Sequence, residues 1–167
     1  MPKSNDTITE TELVYALAGE TQPRTIRVPE DASNADILHL IVKANSLEGS
    51  YRLFWEDEAE PLDDQESVLT RLKNDFRQIQ VAKPGFIEVT FTYNNRTATN
   101  DFRPNTTVRK LVEWAVSEAG LALLCDANQF QVKLGGKILP PESHLGQVAR
   151  GEKAITMILV QNVKPQG

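Results

Sequence analysis

Few side chains in this sequence are equipped for covalent chemistry. Cys125 is the single cysteine, and His39 and His144 are the two histidines. A nucleophilic thiol needs a neighbouring base and an electropositive, partly open site. Leu123-Leu124-Cys125-Asp126 reads instead as a helix-to-strand connection with an apolar approach. That pattern predicts a buried or semi-buried, inert thiol. His39 falls on the polar face of a helix in the other half of the chain, and His144 falls in a loop, so no triad signature emerges. Phosphate-loop, dinucleotide and His-Glu metal motifs are missing from the sequence. One cysteine excludes an internal disulfide framework, and two histidines beside it leave few ligands for a metal site. The expectation is a non-enzyme that carries no metal and no cofactor.

Two further stretches could act through charge or reach. Glu56, Asp57, Glu58, Glu60, Asp63, Asp64 and Glu66 form a run of seven acids with no base. Such a run reads as a solvated loop. It could also steer a basic partner or hold Ca²⁺ loosely, although its spacing matches no EF-hand. The other stretch is Gln161-Asn162-Val163-Lys164-Pro165-Gln166-Gly167. It is polar and aperiodic, reads as a flexible end, and finishes in glycine, which has no side chain to obstruct a narrow channel.

The rest of the chain must position these groups. It has 167 residues, 40% apolar and 25% charged, the composition of a soluble globular protein. Its longest apolar run, around Ile37–Val42, is far short of the roughly 20 residues of a membrane span. No charged-then-apolar leader opens it, which argues against secretion and predicts a reducing, cytoplasmic setting. The net charge of −5 argues against general nucleic-acid binding, which needs a basic footprint. Residues 1–83 carry 16 acids and 9 bases, whereas residues 84–167 carry 7 acids and 9 bases. The two halves therefore present different surfaces.

The halves nevertheless share a pattern. A shift of 74 places Leu13, Tyr15 and Leu17 on Ile87, Val89 and Phe91, and Ile37, Leu38, Ile41 and Leu47 on Leu111, Val112, Ala115 and Leu121. A shift of 79 places Tyr51, Leu53 and Trp55 on Phe130, Val132 and Leu134, and a shift of 76 places Leu69, Leu72, Ile79 and Val81 on Leu145, Val148, Ile155 and Met157. Fixed-offset self-similarity marks a duplication, and the changing offset marks loop insertions and deletions.

Each copy reads strand, strand, helix, strand, irregular stretch, strand. Alternating residues give the first strands, and Asn94-Asn95 gives the second hairpin its turn. The second strands fall at Thr25–Val28 and Thr97–Phe102. Val108, Leu111, Val112, Ala115 and Ala119 form a helical stripe, with Asn105 or Thr106 as N-cap and Gly120 at the left-handed end. In the first copy, Ser33 and Asp36 resemble a capping box. Tyr51–Trp55 and Phe130–Leu134 give the third strands, and Gln78–Ala82 and Ile155–Val160 close the copies. This is the β-grasp order. The predicted class is α+β, two tandem β-grasp domains, each a mixed sheet packed on one helix. The predicted boundaries are a flexible tail over 1–9, domains over 10–83 and 86–160 joined at 84–85, and a flexible tail over 161–167. Lys83-Pro84-Gly85 reaches only about 10 Å at 3.3–3.6 Å per residue, so the domains must abut in a semi-fixed interface.

With these elements in place the chain resembles ubiquitin, and the second copy more closely. Leu134-Gly135-Gly136-Lys137-Ile138-Leu139 resembles the turn after ubiquitin's third strand, while Glu142–Val148 and Gly151–Val160 resemble its 3₁₀ segment and last strand. The tandem arrangement resembles the interferon-induced tandem ubiquitin-like modifier of vertebrates and, more, the tandem ubiquitin-like modifiers of bacterial Bil-type antiviral conjugation operons. The resemblance implies a protein modifier. Its terminal glycine carboxylate would be adenylated, passed to a thiolate and joined to a target amine. Gly167, Gln166 and Pro165 would be the conjugation terminus, although ubiquitin ends in Arg-Gly-Gly and this chain has Gln166 before a single glycine. The implied partners are an adenylating activating enzyme, which uses ATP, a conjugating enzyme, a JAB-type isopeptidase and target proteins, with no nucleic acid and no membrane. A non-covalent adaptor that docks through its sheet faces is the alternative.

Partner docking in ubiquitin uses the open sheet face. The equivalent residues here are Lys133, Ile158 and Val160 in the second copy, with Lys133 at the centre, and Phe54 in the first. Phe54 is either a partner anchor or a contact between the domains. Trp114 lies about 120° from the centre of its helix's apolar stripe at 3.6 residues per turn, which predicts the edge of the core or a partner contact.

Overall fold

The structure, a computed structural model, describes residues 9–72 and 78–162. The first sheet is built from β1 (Glu10–Leu17), β2 (Arg24–Pro29), β3 (Arg52–Trp55) and β4 (Ile79–Ala82), in the order β2-β1-β4-β3. The second is built from β5 (Ile87–Tyr93), β6 (Arg96–Phe102), β7 (Phe130–Leu134), β8 (Lys137–Ile138) and β9 (Ala154–Gln161), in the order β6-β5-β9-β7-β8. Each sheet is antiparallel except at its centre, where the first and last strands of the copy run parallel. That is the β-grasp topology twice, α+β as expected.

Register confirms the duplication residue by residue. Tyr15 faces Ile79 and Leu17 faces Val81 in the first parallel pair, while Val89 faces Ile155 and Phe91 faces Met157 in the second. These are the residues that the offsets of 74 and 76 superpose. Each sheet buries one face under a single long helix, α1 (Asn34–Ala44) or α3 (Val108–Val116). Leu13, Tyr15, Ile37, Ile41, Leu53, Trp55, Ile79 and Val81 form one core. Val89, Phe91, Leu111, Ala115, Val132, Leu145, Met157 and Leu159 form the other. One side of each strand and one stripe of each helix are apolar, so burial alone settles which way they face.

Local signals explain most boundaries. Ser33 Oγ accepts the Asp36 amide and Asp36 accepts the Ser33 amide, both at 3.2 Å, so the predicted capping box forms. Asn94 and Asn95 take positive φ of 46° and 64° and join β5 to β6 by a two-residue loop, the turn whose twist matches a hairpin. The N-cap of α3 is Thr107, not Asn105 or Thr106: its hydroxyl accepts the Lys110 amide at 3.2 Å. Nor does Gly120 adopt the left-handed conformation expected of it. Its role is close approach, because a Cβ there would lie 2.5 Å from the Trp114 carbonyl oxygen and 2.7 Å from that of Ala115. The irregular stretch of each copy holds a short helix, α2 (Val68–Leu72) or α4 (Leu145–Ala149).

The domains abut across a polar interface. Arg103 lies over the rings of Phe54 and Phe86, 5.3 and 4.2 Å from their centroids, and its Nε donates to the Ala59 carbonyl at 2.8 Å. The Asn105 side-chain amide donates to the carbonyls of Trp55 and Glu58 at 2.7 and 2.9 Å. The Gln147 amide donates to the Glu20 carbonyl. A Cβ on Gly146 would come within 3.3 Å of the Gly19 nitrogen, so glycine lets the two backbones approach there.

Candidate functional site

The sheet faces turned away from the helices differ between the domains. In the first, alternation turns Ala16, Phe54, Gln80 and Ala82 outward, and all four are buried, Phe54 completely. The second domain covers them. The Gln80 amide lies 3.2 Å from His144 Nε2, which is also 2.7 Å from a Glu56 carboxylate oxygen. Phe54 is therefore a domain-packing residue and is closed to any other protein. His144 is buried in the same interface and is held there by the first domain.

The equivalent face of the second domain is open. β7 and β9 pair Lys133 with Ile158 and Gln131 with Val160, and β5 places Thr92 beside Ile158 and Thr90 beside Thr156. Strand alternation puts these side chains on one face. Ile158 is 53% exposed, while Lys133 and Val160 are half-buried. The structure thus brings three of the predicted partner-binding residues together, a branched apolar centre beside a lysine and ringed by neutral polar groups. Such a surface suits burial of a small apolar anchor with a charged or polar neighbour.

Trp114 sits elsewhere, half-buried against Phe91 and Phe102 at centroid distances of 5.7 and 5.5 Å. It is the edge of the second core. Cys125 is exposed, not buried. The chain between α3 and β7 turns outward there, and the neighbouring Leu124 is fully exposed.

The acidic run does more than solvate a loop. Asp57 Oδ1 accepts the Thr107 amide at 2.6 Å and its hydroxyl at 2.9 Å. Glu56 holds His144, and Asp64 and Glu66 lie 3.6 and 3.5 Å from Arg52 and Arg71. Glu56 and Asp57 clamp the second domain, while Asp64 and Glu66 are paired within the first. Among the described residues, no group of three or more His, Cys, Asp or Glu is placed to hold a metal ion. No helix among them is long and apolar enough to cross a membrane.

The conjugation terminus expected at Pro165, Gln166 and Gly167 lies outside the described residues, as does the N-terminal stretch 1–8. Gln161 and Asn162, expected in the flexible tail, belong to the body. Gln161 pairs with Phe130 at the end of β9. The Asn162 amide donates to the Gln129 carbonyl at 2.7 Å, and its side-chain amide donates to that of Asn128 at 2.7 Å.

Two linked β-grasp domains of this topology, the second with an open sheet face, define a tandem ubiquitin-like protein. Residues 88–162 match the family model of BilA ubiquitin-like domain 2. The second domain is thus similar to a Bil-type ubiquitin-like domain, and the first repeats its β-grasp topology. Solved structures similar to it include Caldiarchaeum subterraneum ubiquitin, with 10% identity and a TM-score of 0.40 over 49% of this chain and 100% of that one. Another is the UBL domain of Plasmodium falciparum Dsk2, with 22% identity and a TM-score of 0.40 over 47% of this chain and 100% of that one. No curated protein sequence matches the chain.

Proposed function

We propose that this chain is a covalent protein modifier. An activating enzyme adenylates the Gly167 carboxylate with ATP, the acyl group passes to a thiolate, and a conjugating enzyme delivers it to a target amine. A JAB-type isopeptidase reverses the bond, and the system serves bacterial antiviral defence in a cytoplasmic setting. The observation that carries this reading is the match of the second domain to a BilA ubiquitin-like domain, the domain whose last strand ends at Gln161, six residues before Gly167. In this scheme the thiolates belong to the enzymes, and the chain supplies only the acyl group.

The test is incubation of the chain with its cognate activating enzyme and ATP. A reductant-sensitive thioester band is expected with the full chain and not after deletion of Gly167. Normal transfer after that deletion would falsify the modifier mechanism. The open face around Ile158 also favours a second reading, a non-covalent adaptor. Retained partner binding with no thioester, in the presence of an activating enzyme proven on another substrate, would establish it.

A further inference from the structure

We infer that the outer edge of β6 is a docking site for an extended, basic protein segment, which joins the second sheet as an extra strand. Four strands end the two sheets: β2, β3, β6 and β8. Exposed edges are normally blunted by charge, proline, shortness or cover. β2 carries Arg24 and Arg27 and ends on Pro29. β3 is covered, because the Leu62 N–H donates to the Leu53 carbonyl at 2.8 Å. β8 has two residues. β6 has seven, all in unbroken register with β5, and Thr97, Ala98, Thr99 and Asn100 at its middle are uncharged.

The phase of the ladder fixes which residues offer backbone groups. Tyr93 faces Arg96 across the two-residue turn, the hydrogen-bonded pair that closes such a hairpin, and the two kinds of pair alternate from there. The Glu88 N–H agrees, since it turns away from β6 and donates to the Lys153 carbonyl at 2.9 Å. Thr97, Thr99 and Asp101 therefore point N–H and C=O away from β5, and all three are exposed. The same phase sets Glu88 opposite Asp101 in a non-hydrogen-bonded pair, where side chains lie closest. In the next such pair the Thr90 and Thr99 hydroxyls are 2.9 Å apart. Two carboxylates so placed repel each other, and neither has an ion-pair partner among the described residues. A lysine or arginine opposite Asp101, on a strand laid beside β6, offsets that repulsion. The residues flanking this base fall on the other face, beside Asn100 and Phe102. The Phe102 ring packs on Trp114 at 5.5 Å, and both are half-buried, so apolar neighbours suit that face. A second copy of β6 fits less well, because it offers Thr97, Thr99 and Asp101 again and none is a base.

The experiment titrates the full, isotope-labelled chain with two capped peptides, one alternating valine with lysine and one alternating valine with glutamate. Amide shifts, hydrogen exchange, sedimentation and thermal melting are measured. The lysine peptide is expected to shift and protect the Thr97, Thr99 and Asp101 amides, and the glutamate peptide to bind about fivefold more weakly or worse. Thr99→Pro removes an outward donor and spares the bonds to β5, so it is expected to abolish that protection. Asp101→Asn is expected to raise the melting temperature, by relieving Glu88, and yet to weaken the lysine peptide by about three- to fivefold. A merely structural role would not move the two readouts in opposite directions, and this variant keeps the test decisive if Thr99→Pro fails to fold. Equal binding of both peptides, shifts confined to the face around Ile158, or an Asp101→Asn chain with unchanged affinity would overturn the inference. So would a dimer of the chain that occupies β6 in place of the peptide.

Discussion

Asp57 of the first domain and Thr107 of the second share a capping arrangement that spans the chain: Thr107 caps α3, and the Asp57 carboxylate accepts both its amide and its hydroxyl. Asp57 adopts a left-handed backbone with φ of 66°, which lets its own N–H reach the Asn105 carbonyl at 3.2 Å. One residue thus bonds the second domain through main chain and side chain together.

Asp57→Ala is expected to cost about 2 kcal/mol, the range for hydrogen bonds to a charged group, with added strain because alanine disfavours positive φ. Asp57→Asn keeps an acceptor and tolerates that backbone, so it is expected to lose less than half as much. Urea denaturation of the whole chain measures both, and equal losses would show that neither the acceptor that asparagine keeps nor the backbone conformation matters.

Phe54 gives the second prediction. Truncation of a fully buried phenylalanine costs about 3–5 kcal/mol, and here the cavity opens between the domains beneath Arg103. Phe54→Ala is expected to lower stability by that amount and to speed exchange at Asn105 and Thr107, which face the first domain. A loss under about 1 kcal/mol, the level of a surface site, would contradict the packing described.

Gly120 tests a sign. Glycine to alanine commonly stabilises a chain by about 0.4–1 kcal/mol when the backbone permits it. At position 120 the added methyl would collide with two fixed carbonyl oxygens of α3, so Gly120→Ala is expected to destabilise by about 1–3 kcal/mol. A raised melting temperature would refute the close approach.

The open face of the second domain gives the fourth. Ile158→Glu places a charge on a half-exposed site, so its effect on stability is expected to stay within about 0.5 kcal/mol. Under the modifier reading it is expected to weaken binding to the activating or conjugating enzyme at least tenfold without altering the fold. Unchanged conjugation kinetics, with an unchanged melt, would remove Ile158 from the docking surface.

Much of the fold was legible because it is periodic. Leu13, Tyr15 and Leu17 against Ile87, Val89 and Phe91 expose the duplication through side-chain alternation alone, and Ser33 with Asp36 is a cap readable within four residues. The interface was not legible in that way. Asp57 meets Thr107 across fifty positions, and no local pattern distinguishes a carboxylate that caps a distant helix from one that faces water. The same limit left Phe54 with two readings, since alternation shows that it points away from its own core but not what lies beyond. Cys125 is exposed although the apolar Leu123-Leu124 before it suggests burial, because the loop turns Leu124 into solvent. Lys133, Ile158 and Val160 came together as expected because strand register is itself a periodic property.

The parallel pairing of β5 with β9 bears on mechanical load. The start of β5 and the end of β9 lie at opposite ends of one ladder. Tension drawn between Ile87 and Gln161 therefore slides the two strands along each other and strains their rungs together, not one after another. A motor tugging on the carboxyl end of this chain would have to break that ladder as a unit before the second domain could unravel.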